Sequence, residues 1–416
     1  MLLAGIDDTD SAKGMCTTYI GAVLAERLSG FCEVANLRLL RLNPNIKWKT
    51  RGNASVCLVL RTKKPAKAKS VILETIQENA VLKDPKTNPG VVFYEGTPPR
   101  EFKDFYWRCL REVVRIRDAE KLALEHGAEA HKFKNGRGII GALAALGSDL
   151  PDKTYELIAY RNRKNWGKER RVDPASVYRM DAHTYPLTFN NVDHASSRIL
   201  ITPHSPCPVL LGIRGENRWV LTQAFKKLVV NEPVAQKVIY ETNQGTDAHL
   251  QAVQNVAGVR PGSSAILKGR VTRAPRIIEG GHVIFSISDG DASVDCAAYE
   301  PTKDFRWKVV CLVSGDAIRV YGGVRHDHPL TVNLEKIDVL GLEEVYEERN
   351  PRCGKCGKRM KSAGRNQGLR CKKCDTQKHG KIRVLLNRGL KKKTYQVPPS
   401  AMRHLSKPLV RVGFIT

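Results

Sequence analysis

The stretch MLLAGIDDTDSAKGMCTT, residues 1–18, runs from apolar residues into a cluster of acids and then into two adjacent hydroxyls. Asp7, Asp8 and Asp10 fall within four positions. Like charges this close repel unless a cation or a set of hydrogen-bond donors holds them. The stretch therefore indicates one of two structures: an acidic turn with threonines that cap a helix, or a divalent-metal site that handles a phosphate.

The apolar pattern around this stretch predicts the fold of about the first 95 residues. MLLAGID has the pattern of a strand and CTTYIGAVLAERL that of a helix, and the segments that follow are VANLRLLRL and ASVCLVLRT as strands, AKAKSVILETIQENA as a helix and GVVFYEG as a strand. The order βαββαβ predicts a ferredoxin-like α+β layer. A charged helical stretch from about Arg100 to His126 completes a predicted first domain, 1–130.

A second ferredoxin-like α/β domain is predicted at 131–255. GRGIIGALAALG and NRWVLTQAFKKLVV have helical patterns, whereas TYELIAY, SRILITP and QKVIYETN have strand patterns. Two such neighbouring segments can fold separately or interleave in one sheet, and the sequence leaves both arrangements open.

Short strands separated by turns follow at 261–345. The candidates are AILKGRVTRAP, HVIFSISD, ASVDCAAYE, DAIRVYGGVR and LTVNLEKIDVL. Five strands in about 80 residues resemble an OB-fold of the anticodon-binding type, a barrel that binds single-stranded nucleic acid by stacking and backbone contacts. A barrel that serves only for packing is the alternative.

The last segment, 350–416, contains CGKC and CKKC. Two CxxC pairs separated by a spacer of 14 residues give the ligand pattern of a zinc ribbon. Four protein thiolates leave no open position, so the predicted Zn²⁺ is structural; a redox dithiol would need only one CxxC. The predicted ligands are Cys353, Cys356, Cys371 and Cys374, and the cations predicted to contact phosphates lie on the same knuckles: Lys355, Lys358, Arg359, Lys372 and Lys373.

Positive charge is concentrated at the C-terminal end of the chain. The net charge is +27, and residues 351–416 hold nineteen lysines and arginines against a single acid, Asp375. Such a basic segment predicts a polyanion partner, nucleic acid before any other, although a solvated basic surface is the plainer reading. No apolar run approaches the roughly 20 residues of a membrane span, so we expect a soluble, cytoplasmic protein.

Several separate motifs together resemble the archaeal tRNA 2-agmatinylcytidine synthetases (TiaS). They are GIDDTDSAKGMCTTY, RLNPNIKWKTRGNASV, KTNPG, GRGIIGALAALG, YPLTFNNVD, PCPVLLGIRGE and TNQGTDAHL. The predicted barrel and ribbon follow in the order that this family shows, so the resemblance covers nearly the whole chain.

The resemblance implies a specific reaction. This family replaces the C2 oxo group of the wobble cytidine of an isoleucine tRNA, anticodon CAU, with agmatine, so that the base reads AUA rather than AUG. ATP is consumed to AMP, and the C2 oxygen is phosphorylated before the agmatine amine displaces it. The family's catalytic region is an unusual kinase domain in which a threonine of the first loop becomes phosphorylated.

Site residues follow from this reaction and from the residue types. Phosphoryl transfer needs Mg²⁺ and cations that clamp the transferring group. We expect Asp7 and Asp8 to hold Mg²⁺, with Asp10 beside them, and Thr17, ahead of Thr18, to match the phosphorylated threonine. The predicted phosphate clamps are Lys47, Lys49, Arg51, Arg137 and Arg214. Agmatine is a dication that requires carboxylates, and the candidates are Asp193, Glu216 and Asp247.

Two classes of function remain after this step. One is an ATP-dependent tRNA-modifying ligase; the other is a non-catalytic protein that binds structured or single-stranded RNA with its barrel and ribbon. The acid cluster beside two threonines has a purpose only in the first class. We therefore expect the ligase.

Overall fold

The computed structural model of the chain describes residues 1–325 and 329–413; positions 414–416 of the predicted last domain lie outside these ranges. Within them, none of the helices combines the length and the apolar character needed to cross a bilayer. Up to residue 242 the elements are, in chain order, β1 (Leu2–Asp7), α1 (Thr17–Leu28), β2 (Glu33–Arg41), β3 (Ala54–Arg61), α2 (Pro65–Asn79), β4 (Gly90–Glu95), α3 (Arg100–Arg111), α4 (Ile116–Glu125), β5 (Glu129–Lys132), α5 (Ile139–Leu146), β6 (Thr154–Arg161), α6 (Pro174–Thr184), β7 (Thr188–Phe189), β8 (Val192–Asp193), β9 (Arg198–Ile199), β10 (Val209–Gly215), α7 (Arg218–Lys226) and β11 (Val234–Thr242).

The remaining elements form the barrel, the ribbon and a short final strand. They are β12 (Gln251–Ala252), β13 (Ser264–Ile277), β14 (Val283–Ser288), β15 (Ser293–Ala298), α8 (Asp304–Val310), β16 (Ala317–Val324), β17 (Thr331–Gly341), β18 (Tyr346–Arg349), β19 (Lys361–Ser362), β20 (Leu369–Arg370), β21 (Gln377–Lys378), β22 (Ile382–Leu385) and β23 (Thr394–Gln396).

The two N-terminal segments share one nine-stranded sheet in the order β5-β4-β1-β3-β2-β11-β6-β10-β7. The first four strands of the chain take the order β4-β1-β3-β2, so the predicted ferredoxin-like layer is confirmed. Parallel pairing of β2 with β11, with Arg38 opposite Glu241, joins this layer to the second segment. The two segments therefore lie side by side in one continuous sheet, each as a contiguous block of strands.

Helices cover both faces of the first half of this sheet. Leu2, Ala4 and Ile6 alternate onto one face, where they pack against the apolar sides of α1 and α2. Leu3 points to the other face and packs against α3 and α5. Helix α5 lies directly on β1, and only a glycine fits at position 5: a Cβ there would come within 1.9 Å of the Ala142 carbonyl oxygen. A helix from the second segment thus lies on the strand that carries the acid cluster.

The five strands predicted at 261–345 are all present, and they close into a barrel. The order is β13-β14-β15-β17-β16, and antiparallel pairing of β16 with β13 completes the closure. Helix α8 lies between β15 and β16, and Phe305 and Val309 of this helix enter the barrel core.

The zinc-ribbon segment is attached to the barrel by a two-stranded stem. Strand β18 pairs with β22, and β19, β20 and β21 form a small sheet around the cysteines. Directly after the stem, Arg388 donates from Nη1 and Nη2 to the buried Asp316 of the barrel, at 2.7 and 2.9 Å. This ion pair fixes where the stem leaves the barrel.

The segment 394–413 does not extend as a free basic tail. It returns from the ribbon, adds β23 to the edge of β17 and then crosses to the large sheet. Arg411 at its end is fully buried, and its guanidinium donates to Glu216 (2.5 Å) and to Asp152 (3.0 Å). Part of the positive charge that the sequence assigns to a polyanion partner is therefore neutralised inside the protein.

Arg411→Ala should lower the thermal midpoint by about 5 °C or more, because removing one partner of a buried ion pair costs about 3–5 kcal/mol. Calorimetry on the zinc-loaded protein measures the shift. The exposed Arg365 provides the control, since Arg365→Ala removes the same charge without breaking a buried pair. Equal midpoints for the two variants would show that the returning segment does not stabilise the fold.

Candidate active site

The acid cluster lies at the carboxyl end of β1, where the strand leaves the sheet. Asp7 is the last residue of the strand, and Asp8 follows with a positive φ of 56°. The Asp8 amide donates to Asp7 Oδ1, the side chain of the preceding residue, at 2.6 Å. Asp7 needs a glycine opposite, because a Cβ on Gly141 of α5 would come within 1.9 Å of Asp7 Oδ2.

Asp10, rather than a threonine hydroxyl, supplies the side-chain contact at the start of α1. Its Oδ1 accepts from the Thr17 amide at 2.6 Å and from Thr17 Oγ1 at 3.1 Å. The N-cap residue of this helix is Cys16, whose side chain makes no capping hydrogen bond. The alternative in which the threonines themselves cap the helix is therefore wrong. A carboxylate at this position also complements the helix dipole.

Two arginines from distant parts of the chain neutralise the cluster. Arg137 Nη2 donates to Asp8 Oδ2 at 3.0 Å, and Arg51 Nη2 lies 3.1 Å from Asp10 Oδ2. Both guanidiniums are partly buried, and each has further N–H donors. The structure therefore brings together the predicted acids Asp7, Asp8 and Asp10 and two of the predicted cations.

Asp7 and Asp8 are held in an environment that disfavours their charge. Burial, and then the charge of Asp8, raise the pKa of Asp7 well above its ordinary value. Burial also raises the pKa of Asp8 to about 6, although Arg137 opposes that shift. Adjacent carboxylates that resist ionisation gain most from a divalent cation, because it removes both their repulsion and their poor solvation.

A cavity of about 540 Å³ opens beside the acids. Asp7, Asp8, Asp10, Arg51 and Arg137 line its polar end. Its remaining wall is largely apolar and includes Leu42, Ile46, Trp48, Val113, Val114, Ile116 and Ile140. A charged end and an apolar wall suit a ligand that combines phosphates with a planar base.

A second cavity, of about 330 Å³, lies on the other side of Asp10 and Thr17, and both residues line both cavities. Its lining includes the cations Arg41, Arg51, Arg198 and Arg214, the imidazole of His404 and one glutamate, Glu156. Thr17 and Asp10 thus lie between a cavity that contains all three carboxylates of the cluster and a cavity that is lined mainly by arginines.

Buried polar atoms without hydrogen-bond partners occur on the walls of these cavities. Among the described residues, Thr50 Oγ1, Arg51 Nη1 and Arg214 Nε are such atoms. Buried donors are almost always paired, so donors left over at a cavity wall indicate that a ligand completes them. Arginine N–H groups would be completed by anionic oxygen atoms.

The other predicted phosphate clamps lie in different places. Lys49 lines the first cavity and donates to the Pro44 carbonyl, and burial lowers its pKa. Lys47 lies outside both cavities, in a surface groove with Asn45 and Arg403. Arg214 lies on strand β10, not in the loop that the glycines of GIRGE suggest, and it reaches the second cavity.

The three carboxylates predicted for agmatine are not brought together. Ser400 donates to Asp193, Arg411 to Glu216, and the backbone amide of Lys407 to Asp247 Oδ1 at 2.6 Å. All three partners belong to the segment that returns from the ribbon, and none of the three carboxylates lines either cavity. The pocket predicted from these acids is therefore not formed in this structure.

Three site residues were missed from the sequence: Arg41, Glu156 and His404. Glu156 is a buried carboxylate whose Oε1 lies 3.4 Å from Arg214 Nε, and it accepts from Gln244 at 2.6 Å. The available signal was a charge in the middle of the apolar strand TYELIAY. Arg41 and His404 had no comparable signal, because long-range packing alone brings them to the cavity.

The four predicted zinc ligands lie together. The sulfur atoms of Cys353, Cys356, Cys371 and Cys374 are all within 4.8 Å of one another. Backbone amides of Lys355 and Cys356 lower the pKa of the Cys353 thiol to about 6, which favours the thiolate that Zn²⁺ requires. The side chains predicted to contact tRNA are all exposed on this ribbon: Lys355, Lys358, Arg359, Lys372 and Lys373.

Fold and site together define the class: a multidomain α+β protein in which an acid-centred cavity is combined with an OB barrel and a four-cysteine ribbon. Sequence models of three domains match the chain: the TiaS TCKD domain at residues 3–135, the TiaS FLD domain at residues 136–249 and the TiaS C-terminal zinc ribbon domain at residues 350–390. The chain belongs to the TiaS family.

Relatives and solved structures agree over almost the full length. The isoleucine-tRNA 2-agmatinylcytidine synthetase TiaS of Methanosarcina mazei is 46% identical over 420 residues, 99% of this chain and 97% of the relative. That of Archaeoglobus fulgidus is 45% identical over 413 residues, 98% of this chain and 97% of the relative. The crystal structure of apo TiaS superposes on this chain with a TM-score of 0.91 at 44% sequence identity, and the match covers 99% of this chain and 98% of that one. The crystal structure of a complex of TiaS with its isoleucine tRNA, AMPCPP and agmatine superposes with a TM-score of 0.87 at 42% sequence identity, and the match covers 99% of this chain and 97% of that one.

Asp8→Asn should stabilise the zinc-loaded protein, without added Mg²⁺, at pH 7 by about 1 kcal/mol, because ionisation of a carboxyl whose pKa is raised in the folded state destabilises that state. The unfolded carboxyl ionises near pH 4 and the folded one near pH 6, so the wild type loses stability as the pH rises across this window. The gain from the substitution should therefore disappear as the pH falls to 4.

Thermal unfolding between pH 4 and 7 measures this difference. Asp104→Asn is the matched control, since that acid is exposed on α3 and its substitution should leave the profile unchanged. If Asp8→Asn instead lowers the midpoint at pH 7, the pair with Arg137 stabilises the folded state more than burial destabilises it.

Proposed function

We propose that this chain is an ATP-dependent synthetase that converts the wobble cytidine of an isoleucine tRNA with a CAU anticodon into 2-agmatinylcytidine. Its relatives carry the name of this activity, and a neighbouring structure holds an isoleucine tRNA, AMPCPP and agmatine. The observation that carries the proposal is that Thr17 and Asp10 lie between two cavities, one that contains the acid cluster and one that is lined mainly by arginines. An RNA-binding module would need neither cavity.

The chemistry required is activation of a poor leaving group. The C2 oxygen of cytosine leaves slowly as such, whereas its phosphate ester leaves readily once an amine attacks C2. In this scheme the C2 oxygen attacks one phosphoryl group of ATP, the agmatine nitrogen then adds to C2 with loss of its proton, and the C2–O bond breaks as inorganic phosphate leaves with the C2 oxygen. The other terminal phosphate of ATP is transferred to water, so that AMP and two inorganic phosphates result. Phosphoryl transfer depends mainly on placing these groups and stabilising negative charge.

Asp7, Asp8 and Asp10 are the residues proposed to hold Mg²⁺. Their donor atoms are oxygens, which this cation prefers, and the raised pKa values of Asp7 and Asp8 favour a site that gains a cation. The bound ion would supply neutralisation of the phosphoryl oxygens. Arg51 and Arg137 neutralise the acids here, and their further N–H groups are placed to bind phosphate oxygens in the first cavity.

Between the two threonines, Thr17 is the better candidate for phosphorylation. Its hydroxyl lies 3.1 Å from Asp10 Oδ1, and the residue lines both cavities. Thr18 lines the second cavity, and its hydroxyl lies 3.4 Å from the sulfur of Cys16. A carboxylate beside Thr17 Oγ1 can accept the hydroxyl proton as the oxygen becomes a nucleophile.

Agmatine and the wobble base need accessible groups near the phosphoryl centre. The exposed Trp48 on the wall of the first cavity offers a surface on which a splayed base can stack. For the guanidinium of agmatine, the carboxylates that line the cavities are those of the acid cluster, Glu112 and Glu156, whereas Asp193, Glu216 and Asp247 are held by the returning segment. Binding by these three acids would require that segment to release them.

The grip on tRNA is assigned to the ribbon and the barrel. The five cations predicted to contact tRNA are exposed around a compact four-cysteine core, and the four thiolates fit structural Zn²⁺. Phosphate contacts by such cations give affinity without reading sequence, so binding should weaken steeply with salt.

The purified chain, incubated with ATP, Mg²⁺, agmatine and an isoleucine tRNA transcript carrying CAU, should produce AMP. The transcript should gain the mass of agmatine less one water, since a C–N bond replaces the C2 oxygen. Nucleoside mass spectrometry locates the change, and the same transcript with G at the wobble position is the control. Tight binding of the CAU transcript with no AMP and no added mass would favour the alternative function, a non-catalytic RNA-binding protein.

A further inference from the structure

The returning segment, residues 394–413, fixes the backbone of His404 next to the second cavity. The Gly245 amide donates to the His404 carbonyl at 2.8 Å, and the Asp247 amide donates to the next carbonyl, that of Leu405, also at 2.8 Å. Arg411 anchors the end of the segment in the large sheet. A residue that lies beyond the ribbon in sequence is thus held rigidly at the cavity of the N-terminal half.

The imidazole of His404 holds one edge of an arginine. Arg214 Nη2 lies 2.8 Å from His404 Nδ1. A guanidinium can only donate, so Nδ1 must be the acceptor and the ring hydrogen must lie on Nε2. Desolvation and the charges of Arg41 and Arg214 lower the pKa of His404, in agreement with a neutral ring.

The Arg214 guanidinium lies between two acceptors, the neutral Nδ1 of His404 and the carboxylate of Glu156. Its Nε lies 3.4 Å from Glu156 Oε1 and has no hydrogen-bond partner, while Nη2 is held by His404. Gln244 occupies Glu156 Oε2 at 2.6 Å. Without an acceptor on the far side, the guanidinium would be drawn into a two-bond pair with Glu156, which is the geometry that arginine and carboxylate prefer.

We propose that His404 is a positioning residue for Arg214, which it holds away from Glu156 so that the guanidinium faces the anion in the second cavity. This inference rests on the proposed function and adds to it that a phosphate of ATP reaches the second cavity, which shares Asp10, Thr17 and Arg51 with the first. The ring works only as a neutral acceptor at Nδ1. The segment that closes the fold after the ribbon therefore also completes the phosphate site.

His404→Phe tests the proposal, because it keeps an aromatic ring and removes the acceptor. The dissociation constant for ATP, measured by titration calorimetry on the zinc-loaded chain, should rise about 10- to 100-fold, the usual effect of losing a hydrogen bond to a charged group. The KM for ATP should rise by a similar factor, while the affinity for tRNA stays unchanged. His404→Asn places an acceptor oxygen near the position of Nδ1 and should restore binding to within about threefold.

A double-substitution cycle separates positioning from general stabilisation. If His404 acts through Arg214, then Arg214→Ala with His404→Phe should bind ATP no more weakly than Arg214→Ala alone. Thr394→Val is the control within the same segment: it removes a 2.7 Å bond to Asp338, on the barrel, and should leave ATP binding unchanged.

Three results would overturn the inference: wild-type affinity in His404→Phe, equal defects in His404→Phe and His404→Asn, or losses that multiply in the double variant. The proposed function fails separately, when the wild type binds ATP and tRNA yet adds no agmatine. In that case the binding measurements still decide the role of His404. A wild type that does not bind ATP would contradict both.

Discussion

The structure around the candidate site depends on groups that offset the charges of Asp7, Asp8 and Asp10 at the end of the buried strand β1. Asp7 and Asp8 lie in surroundings that raise their pKa values, and two guanidiniums and a helix start compensate the cluster. Arg51 comes from the loop after β2, and Arg137 from the turn before α5. Those two segments must therefore converge on β1, which explains why α5 packs so closely on this strand.

The chain's C-terminal segment connects the modules. After the ribbon it bonds in turn to the barrel, to the loop after β11 and to the large sheet, mostly through buried or partly buried polar groups. At Glu335 of the barrel the segment meets a direct contact between the modules. The buried His249, which follows β11, lies 3.1 Å from this carboxylate, and Ser406 of the segment donates to it. The cavities, the barrel and the ribbon stem are thus held by one set of contacts, which fixes the position of the barrel relative to the cavities.

Local patterns predicted the fold and part of the site. Periodicity identified the strands and helices of the first layer and the barrel, because each has one apolar face that a nearby partner covers. Cysteine spacing identified the ribbon, since two short knuckles supply all four ligands. The acid cluster was visible because Asp7, Asp8 and Asp10 are adjacent in sequence.

The rest of the site is built by long-range pairing, which one sequence does not show. Glu156 faces the cavity because β6 joins the sheet through β11, and His404 because the chain returns from the ribbon. The sequence did not show the partners of the candidate agmatine carboxylates for the same reason: the cation that holds Glu216 belongs to a stretch whose composition indicates a solvated basic tail. Nothing local distinguishes Arg411 from the exposed arginines of the ribbon.

The most direct test of this account is the binding of Mn²⁺, as a paramagnetic substitute for Mg²⁺, to the chain with a non-hydrolysable ATP analogue. Electron paramagnetic resonance should show tight Mn²⁺ binding to the wild type that is weakened by about tenfold or more in Asp8→Asn, since one charged oxygen ligand is lost. The control Asp104→Asn should match the wild type. Equal Mn²⁺ affinity in Asp8→Asn and the wild type would contradict the claim that the carboxylates at the end of β1 hold the metal.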